Sequence, residues 1–279
     1  MKRIAVCGYT SAVGEYFLEH FSDRLSFVKI GRSEAEIEID LRYQKIRGNI
    51  DLLGGCDAIV NLAAQTKNDT DEDILDLMKT NVIGPLYLAK LAHQYGIPKY
   101  IHMSSISATY EPDDPFYSYY SESKKCADEI LMLFGQKAGI RICILRPSAL
   151  FGSDRFAKHQ ALLYGLIKKV KQNENITLYG ETDVKRNYLH VSTLLDVVYK
   201  LIYDDITGVY PVVNMKSDFL TEIISVIKES YGSNIKVRFM PDENGIIERD
   251  FDDRGEIYSL LGIDAPNGFR DEWNKMENM

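Results

Sequence analysis

The chain has 279 residues, of which 45% are hydrophobic and 27% charged, and its 33 Lys and Arg leave a formal net charge of −8. That length holds one large domain or a large and a small one, and the composition is that of an ordinary well-cored globular protein. The acidic balance argues against non-specific binding to nucleic acid or anionic membranes, and no run approaches the roughly 20 apolar residues needed to cross a bilayer.

The first apolar run, Arg3–Cys7, is too short for a signal segment and stops at Gly8. It reads as a buried strand. Further strands are expected at Ser26–Ile30, Ala58–Leu62, Tyr100–Met103 and Arg141–Leu145, with amphipathic helices at Val13–Phe21, Ile74–Tyr95 and Ser121–Lys137 between them. Near-continuously apolar strands alternating with helices predict an α/β fold, a Rossmann-type doubly wound parallel sheet covered on both faces. Gly96-Ile97-Pro98 ends the long helix. Cys7, Cys56, Cys126 and Cys143 are scattered, with no C-x-x-C pair. Reduced core thiols are expected, hence a cytoplasmic protein with no metal site.

Beyond Arg146-Pro147 the alternation loosens. A short strand near Ile176–Leu178, an extended piece at Asn187–His190, helices near Leu194–Tyr203 and Phe219–Glu229, and a strand at Ile235–Phe239 are expected. Two domains follow from this: a dinucleotide-binding domain over 1–151 and a smaller substrate lobe over 152–279, with segments free to return to the main sheet.

Cys7-Gly8-Tyr9-Thr10-Ser11-Ala12-Val13-Gly14 joins the first strand to the first helix, with the spacing of a G-x-x-G-x-x-G phosphate turn whose middle glycine is Ser11. Gly8 permits the bend, Gly14 lets helix and strand approach, and Thr10, Ser11, Ala12 and Val13 line the helix N-terminus that would receive a diphosphate. A plain strand–turn–helix is the competing interpretation. The second strand ends in Lys29-Ile30-Gly31-Arg32-Ser33, lacking the acid that binds a ribose 2′-hydroxyl. Arg32 suits a 2′-phosphate instead, which favours NADP over NAD unless Arg32 is merely solvated. Asp40, next to Leu41, is placed for the adenine amino group.

Tyr120 and Lys124 lie four apart, on one helix face. A phenol is a poor proton-transfer group near neutrality, and a neighbouring ammonium is expected to lower its pKa. Ser104-Ser105-Ile106-Ser107 ends the strand Tyr100–Met103 at the sheet's carboxyl edge, where a serine hydroxyl can hold a substrate carbonyl. Tyr117 and Tyr119 have no lysine four residues on.

Turn, strand-end serines and Tyr/Lys helix come in the order of the extended short-chain dehydrogenase/reductase family, and nearly the whole chain resembles its nucleotide-sugar epimerases, dehydratases and reductases. Asp57–Ala64 is similar to the family's fourth-strand motif, with Asn61 where histidine is usual; the resemblance implies cofactor contacts at Leu62, Ala63 and Ala64. Asn81-Val82-Ile83-Gly84 resembles the helix motif whose asparagine supports the active site. Leu145–Gly152, with Pro147 and Ser148, resembles the segment passing under the nicotinamide. Arg186-Asn187-Tyr188-Leu189-His190-Val191 is similar to the stretch whose arginine holds the sugar nucleotide's diphosphate, which a guanidinium fork suits. Departures also stand out. Counting back from Tyr110 to the family's active-site hydroxyl lands on Ile106, so the role falls to Ser105 or Ser107. Ile106-Ser107 replaces the dehydratases' Asp-Glu pair, and Ser192-Thr193 replaces the acid usual after His190-Val191.

The resemblance implies a nucleotide-diphosphate sugar as substrate and two chemistries: NADPH-linked reduction of a 4-keto-6-deoxysugar nucleotide, favoured by Arg32 and the short chain, or NAD-dependent 4-epimerisation. A non-catalytic NADP-sensing relative is the alternative of another class, though such regulators typically lack the Tyr/Lys pair. A homodimer is expected through the helices Ile74–Tyr95 and Ser121–Lys137, using Leu75, Leu77, Leu86, Leu91, Leu131 and Leu133 unless these face the chain's own sheet.

Overall fold

The apolar runs of the first half pair as strands in the computed structural model, which describes residues 1–241, 245–251 and 253–277. In chain order come β1 (Lys2–Cys7), α1 (Ala12–Phe21), β2 (Leu25–Gly31), β3 (Ile37–Asp40), β4 (Lys45–Gly48), β5 (Ala58–Asn61), α2 (Asp71–Met78), α3 (Gly84–Gln94), β6 (Lys99–Met103), α4 (Tyr119–Ala138) and β7 (Arg141–Pro147). There follow β8 (Ala149–Phe151), α5 (Ala161–Lys171), β9 (Ile176–Tyr179), β10 (Lys185–Arg186), β11 (Tyr188–His190), α6 (Val191–Tyr203), β12 (Gly208–Val212), β13 (Asp218–Phe219), α7 (Leu220–Tyr231), β14 (Val237–Met240), α8 (Glu256–Leu261) and α9 (Phe269–Glu277).

Eight strands form one sheet in the order β12-β7-β6-β5-β1-β2-β3-β4. β2 and β5 both pair parallel to β1, so the order reverses between β1 and β5, and Cys7 faces Asn61 across that join. In an open α/β sheet this switch point leaves a crevice at the carboxyl ends of the strands. The β3–β4 pair is antiparallel. These two short strands were not expected, because Ile37–Asp40 alternates apolar and acidic residues too briefly to stand out. β12, with a proline inside it, was also missed; it lies at the sheet edge, where proline is tolerated.

Caps set the helix starts. Thr70 Oγ1 accepts from the Asp73 N–H at 3.1 Å, so α2 begins at Asp71 with three acids at the positive end of its dipole. The single helix expected over Ile74–Tyr95 is instead α2 and α3 joined by a widened π-type turn at Lys79–Ile83. At its end the Ile97 N–H bonds the Ala92 carbonyl at 2.8 Å, with Gly96 at φ +65°, the left-handed stop expected from the sequence.

Two compact units divide the chain: Met1–Pro147 with Val197–Pro211, and Ser148–Asp196 with Val212–Met279. Within the first, a core that includes Ala5, Val28, Ile30, Ile59, Leu88, Tyr100, Leu131 and Ile144 packs both sheet and helices. The second gathers Phe151, Leu163, Ile167, Ile223, Ile227, Phe269 and Trp273. Among the described residues no helix is long and apolar enough to cross a membrane.

Candidate active site

The turn after β1 requires glycine at both ends. Gly8 has φ +81°, and a Cβ there would lie 2.5 Å from the Ala63 nitrogen; at Gly14 it would lie 2.3 Å from the Gly8 oxygen. The turn and the Leu62–Ala63 loop after β5 are thereby pressed together at the switch point. Ser11 needs no glycine conformation (φ −74°, ψ 158°) because it is the N-cap of α1: its Oγ accepts from the Gly14 N–H at 3.0 Å and donates to the Gly8 carbonyl at 2.7 Å. The serine in the glycine position therefore keeps the helix entry rather than blunting it. Ala12 and Val13 open α1, where N–H groups have no intrahelical acceptor and the dipole is positive. That end fits a diphosphate. Thr10 and Ala64 are exposed, and Leu62 is buried with its N–H on the Cys7 carbonyl at 2.8 Å.

Beyond β2, Arg32 is exposed. The turn carrying it is braced by Tyr9, a residue the sequence reading passed over: its hydroxyl donates to the Ser33 and Glu34 carbonyls at 3.0 and 2.8 Å, and its ring lies 2.8 Å from where a Gly31 Cβ would be. Asp40 is committed locally. Arg42 donates to it from Nε at 3.1 Å and Nη2 at 2.9 Å, and this hydrogen bonding lowers the Asp40 pKa; Arg42 also reaches Asp76 at 3.1 Å. Leu41 is buried against Gly84. An adenine amino group at Asp40 would thus compete with a guanidinium.

Ser118 caps α4 through the Ser121 N–H, which places Tyr120 in the first helical turn and Lys124 one turn on. Lys124 is 1% exposed, its Nζ donates to the Met103 carbonyl at 2.9 Å, and it lies 5.8 Å from the centre of the Tyr120 ring. Ser105 caps the short turn Ile106–Thr109, so Ile106 opens that turn. The Ser105 Oγ accepts from the Ser107 N–H at 3.2 Å and from the Ser107 hydroxyl at 2.9 Å. Of the two serines, Ser105 is the one that acts on the Tyr120 phenol, favouring its ionisation; Ser107 bonds to Ser105.

The electrostatics differ from the sequence-based expectation. Burial pushes the Tyr120 phenol up to about 12 against the opposing influence of Ser105, while burial pushes the Lys124 ammonium down to about 8 against the attraction of Asp128. Desolvation dominates at both groups, so Tyr120 stays a protonated donor through the neutral range. A stability consequence follows. The unfolded chain holds the Lys124 proton up to about 10.5 and the folded one only to about 8, so stability rises with pH across that window. Relative to Lys124→Met, the unmodified chain is expected to gain about 3 kcal/mol between pH 7.5 and pH 10.5 in urea unfolding; a pH-independent difference contradicts the assignment.

Two asparagines hold the surrounding loops. Asn81 lies in the π-type turn; its Oδ1 accepts from the Gln65 N–H at 2.8 Å and its Nδ2 donates to the Gln65 carbonyl at 2.9 Å and to Ser123 Oγ at 3.0 Å. Asn81 thus ties the loop beyond β5 to the residue before Lys124. Asn61 accepts from the Ala63 N–H at 3.1 Å, which leaves its Nδ2 facing Tyr100 Oη at 3.0 Å and His102 Nδ1 at 3.2 Å. An amide NH₂ only donates, so His102 Nδ1 is the acceptor and the ring is the neutral Nε2–H tautomer. Burial likewise holds the His102 pKa well below its usual value.

Pro147 ends β7. In the second unit, Ser148 is buried with its N–H on the Val212 carbonyl at 3.2 Å, and its Oγ has no partner among the described residues. Arg186 is half-buried on β10 and its Nη1 donates to the Lys185 carbonyl at 2.8 Å. Of the apolar residues considered for a dimer face, Leu75 and Leu133 are exposed, Leu86 is half-buried, and Leu77, Leu91 and Leu131 are buried. Cys7, Cys56 and Cys143 are buried free thiols, and Cys126 is partly exposed.

The family model described as NAD dependent epimerase/dehydratase family matches residues 4–214. The chain is 24% identical over 252 residues to dTDP-glucose 4,6-dehydratase of Streptomyces niveus, a match covering 83% of this chain and 74% of that protein. It is 24% identical over 200 residues to UDP-glucuronic acid decarboxylase 1 of Danio rerio, covering 66% of this chain but only 47% of the decarboxylase. In three dimensions it resembles the UDP-N-acetylglucosamine 4-epimerase of Bacillus cereus, with a TM-score of 0.78 at 19% identity, over 100% of this chain and 96% of that one.

Proposed function

Because the chain belongs to the NAD dependent epimerase/dehydratase family, we propose that it carries out nicotinamide-dependent redox chemistry on a nucleotide-diphosphate sugar, with Tyr120 as the proton donor and Lys124 and Ser105 as its partners. The observation that carries this reading is the Tyr120 phenol one helical turn from a buried ammonium, the Lys124 Nζ lying 5.8 Å from the centre of its ring, with Ser105 favouring its ionisation. The dinucleotide, when bound, supplies or accepts the hydride. Its diphosphate would lie at Gly8, Thr10, Ser11, Ala12, Val13 and Gly14, beside Leu62, Ala63 and Ala64, and Pro147 would lie under its ring. Ser105 orients the carbonyl and Tyr120 delivers its proton to the oxygen. Arg186 and Ser148 are assigned to the substrate on the family resemblance.

The finer reading is NADPH-linked reduction of a 4-keto-6-deoxysugar nucleotide, supported by Arg32 in place of an acid and by a phenol that stays protonated. Likeness to a UDP-N-acetylglucosamine 4-epimerase favours a second reading, 4-epimerisation with retained NAD. Mass and absorbance of cofactor released from the purified protein separate them: NAD carried through purification overturns the reductase. If Arg32 holds a 2′-phosphate, Arg32→Asp is expected to weaken NADPH binding by about 10- to 100-fold and leave NADH binding within a few-fold, as for loss of a charge-assisted pair. Equal weakening of both dismisses Arg32. A homodimer belongs to the same reading, with Leu75 and Leu133 as exposed apolar contacts on α2 and α4.

A further inference from the structure

A third ionisable group continues the Tyr120–Lys124 line. Asp128 lies one turn beyond Lys124 on α4, on the same helix face, and is 2% exposed. A carboxylate so far from water needs a fixed partner, and Arg146 on β7 provides one: its Nε donates to Asp128 Oδ2 at 2.7 Å. Lys124 has the converse problem. It is a buried cation whose three N–H groups include one on the Met103 carbonyl, and its charge must persist if it is to support the Tyr120 phenol.

We propose that Asp128, clamped by Arg146, is a positioning residue whose charge, one turn along the same buried helix face, keeps Lys124 charged beneath Tyr120. Tyr120 and Asp128 on α4 and His102 on β6 are the titratable groups around Lys124; Arg146 on β7 is bonded to Asp128. His102 is neutral and Tyr120 protonated in the neutral range, so Asp128 is the group that supplies the counter-charge. Asp128 also opposes ionisation of Tyr120, which favours a phenol that gives up its proton only to a reacting oxygen. Burial raises the Asp128 pKa, and Ser104, Arg146 and Lys124 together act against that rise. The clamp therefore opposes the neutralisation that burial favours.

The inference rests on the proposed use of Tyr120 and Lys124, but its test does not require turnover. With lysine labelled at ¹³Cε, the Lys124 resonance is identified by its loss in Lys124→Met and titrated in the unliganded protein. Asp128→Asn is expected to move the midpoint down by up to about one pH unit, because it removes the opposite charge one turn from the ammonium and leaves the Arg146 charge unbalanced. Asp128→Glu restores it. An unchanged midpoint in folded Asp128→Asn overturns the proposal. Asp128→Asn leaves the Arg146 guanidinium without its counter-charge and can fail to fold; Asp128→Asn/Arg146→Gln removes both charges and keeps the shape. A lowered midpoint in this double variant supports the proposal, and the unmodified midpoint overturns it. A midpoint that moves while the pH limb of sugar-nucleotide turnover stays put keeps Asp128 in its role and sinks the catalytic reading of Lys124 instead.

Discussion

Tyr120→Phe is expected to lower kcat on a nucleotide-linked keto-sugar by about 10²- to 10⁴-fold, the usual range for loss of a positioned proton-transfer group. The substitution removes one oxygen and keeps the ring, so α4 retains its packing and its Ser118 cap. Ser105 keeps its bonds from Ser107. Stability should therefore change by no more than about 1 kcal/mol, and KM and dinucleotide affinity should stay within a few-fold. The pH profile adds a second test. With the phenol protonated up to about 12, the falling limb of the proposed reduction is expected to belong to Lys124, with kcat/KM declining as pH rises through about 8. Residual activity of Tyr120→Phe should keep no proton transfer from that position. Full-rate turnover by this variant removes the catalytic assignment and returns the chain to a dinucleotide-sensing role.

Glu272→Ala should cost about 3–5 kcal/mol of stability, the price of stripping a buried ionic network of its acceptor. Glu272 on α9 is fully buried. It accepts from the His190 N–H at 2.6 Å, from the Thr193 hydroxyl at 2.9 and 2.8 Å, and from Lys275 Nζ at 2.6 Å. The carboxylate thereby caps the N-terminus of α6 from a point 82 residues distant in sequence. Alanine leaves an N–H and a hydroxyl buried without an acceptor and a lysine half-desolvated. Trp273 is the sole tryptophan and adjoins Glu272 in the second unit's core, so its fluorescence in a urea titration reads this loss locally. A shift worth less than about 1 kcal/mol means the network contributes little. Glu272→Gln, which keeps an acceptor oxygen, should fall between the two.

The acid at His190 shows where sequence reading stops. Ser192-Thr193 stand where the family carries an acid after His190-Val191, and along the chain this reads as a missing group. In space a carboxylate is present, brought from α9. Period and punctuation do not encode a partner so far away; packing of α9 against β11 supplies it. Ser11 is the same lesson at short range. As a letter in a glycine pattern it is a defect, yet its conformation and its bond to Gly14 make it a cap.

The parallel strands, the phosphate turn, the Tyr120/Lys124 pair and the candidate serines were legible in the chain because each depends on local order: apolar runs, a glycine spacing, a helical turn of four. The short strands β3 and β4 and the π-type turn carrying Asn81 were not, since edge pairing and helix distortion depend on neighbours far along the chain. Nor were the charge states. The chain predicts that an ammonium near a phenol lowers its pKa, but whether attraction or desolvation prevails depends on how much water the fold removes. Here burial prevails, holding Tyr120 protonated and weakening the Lys124 charge, and only the three-dimensional placement of Met103, Asp128 and Arg146 around that lysine decides it.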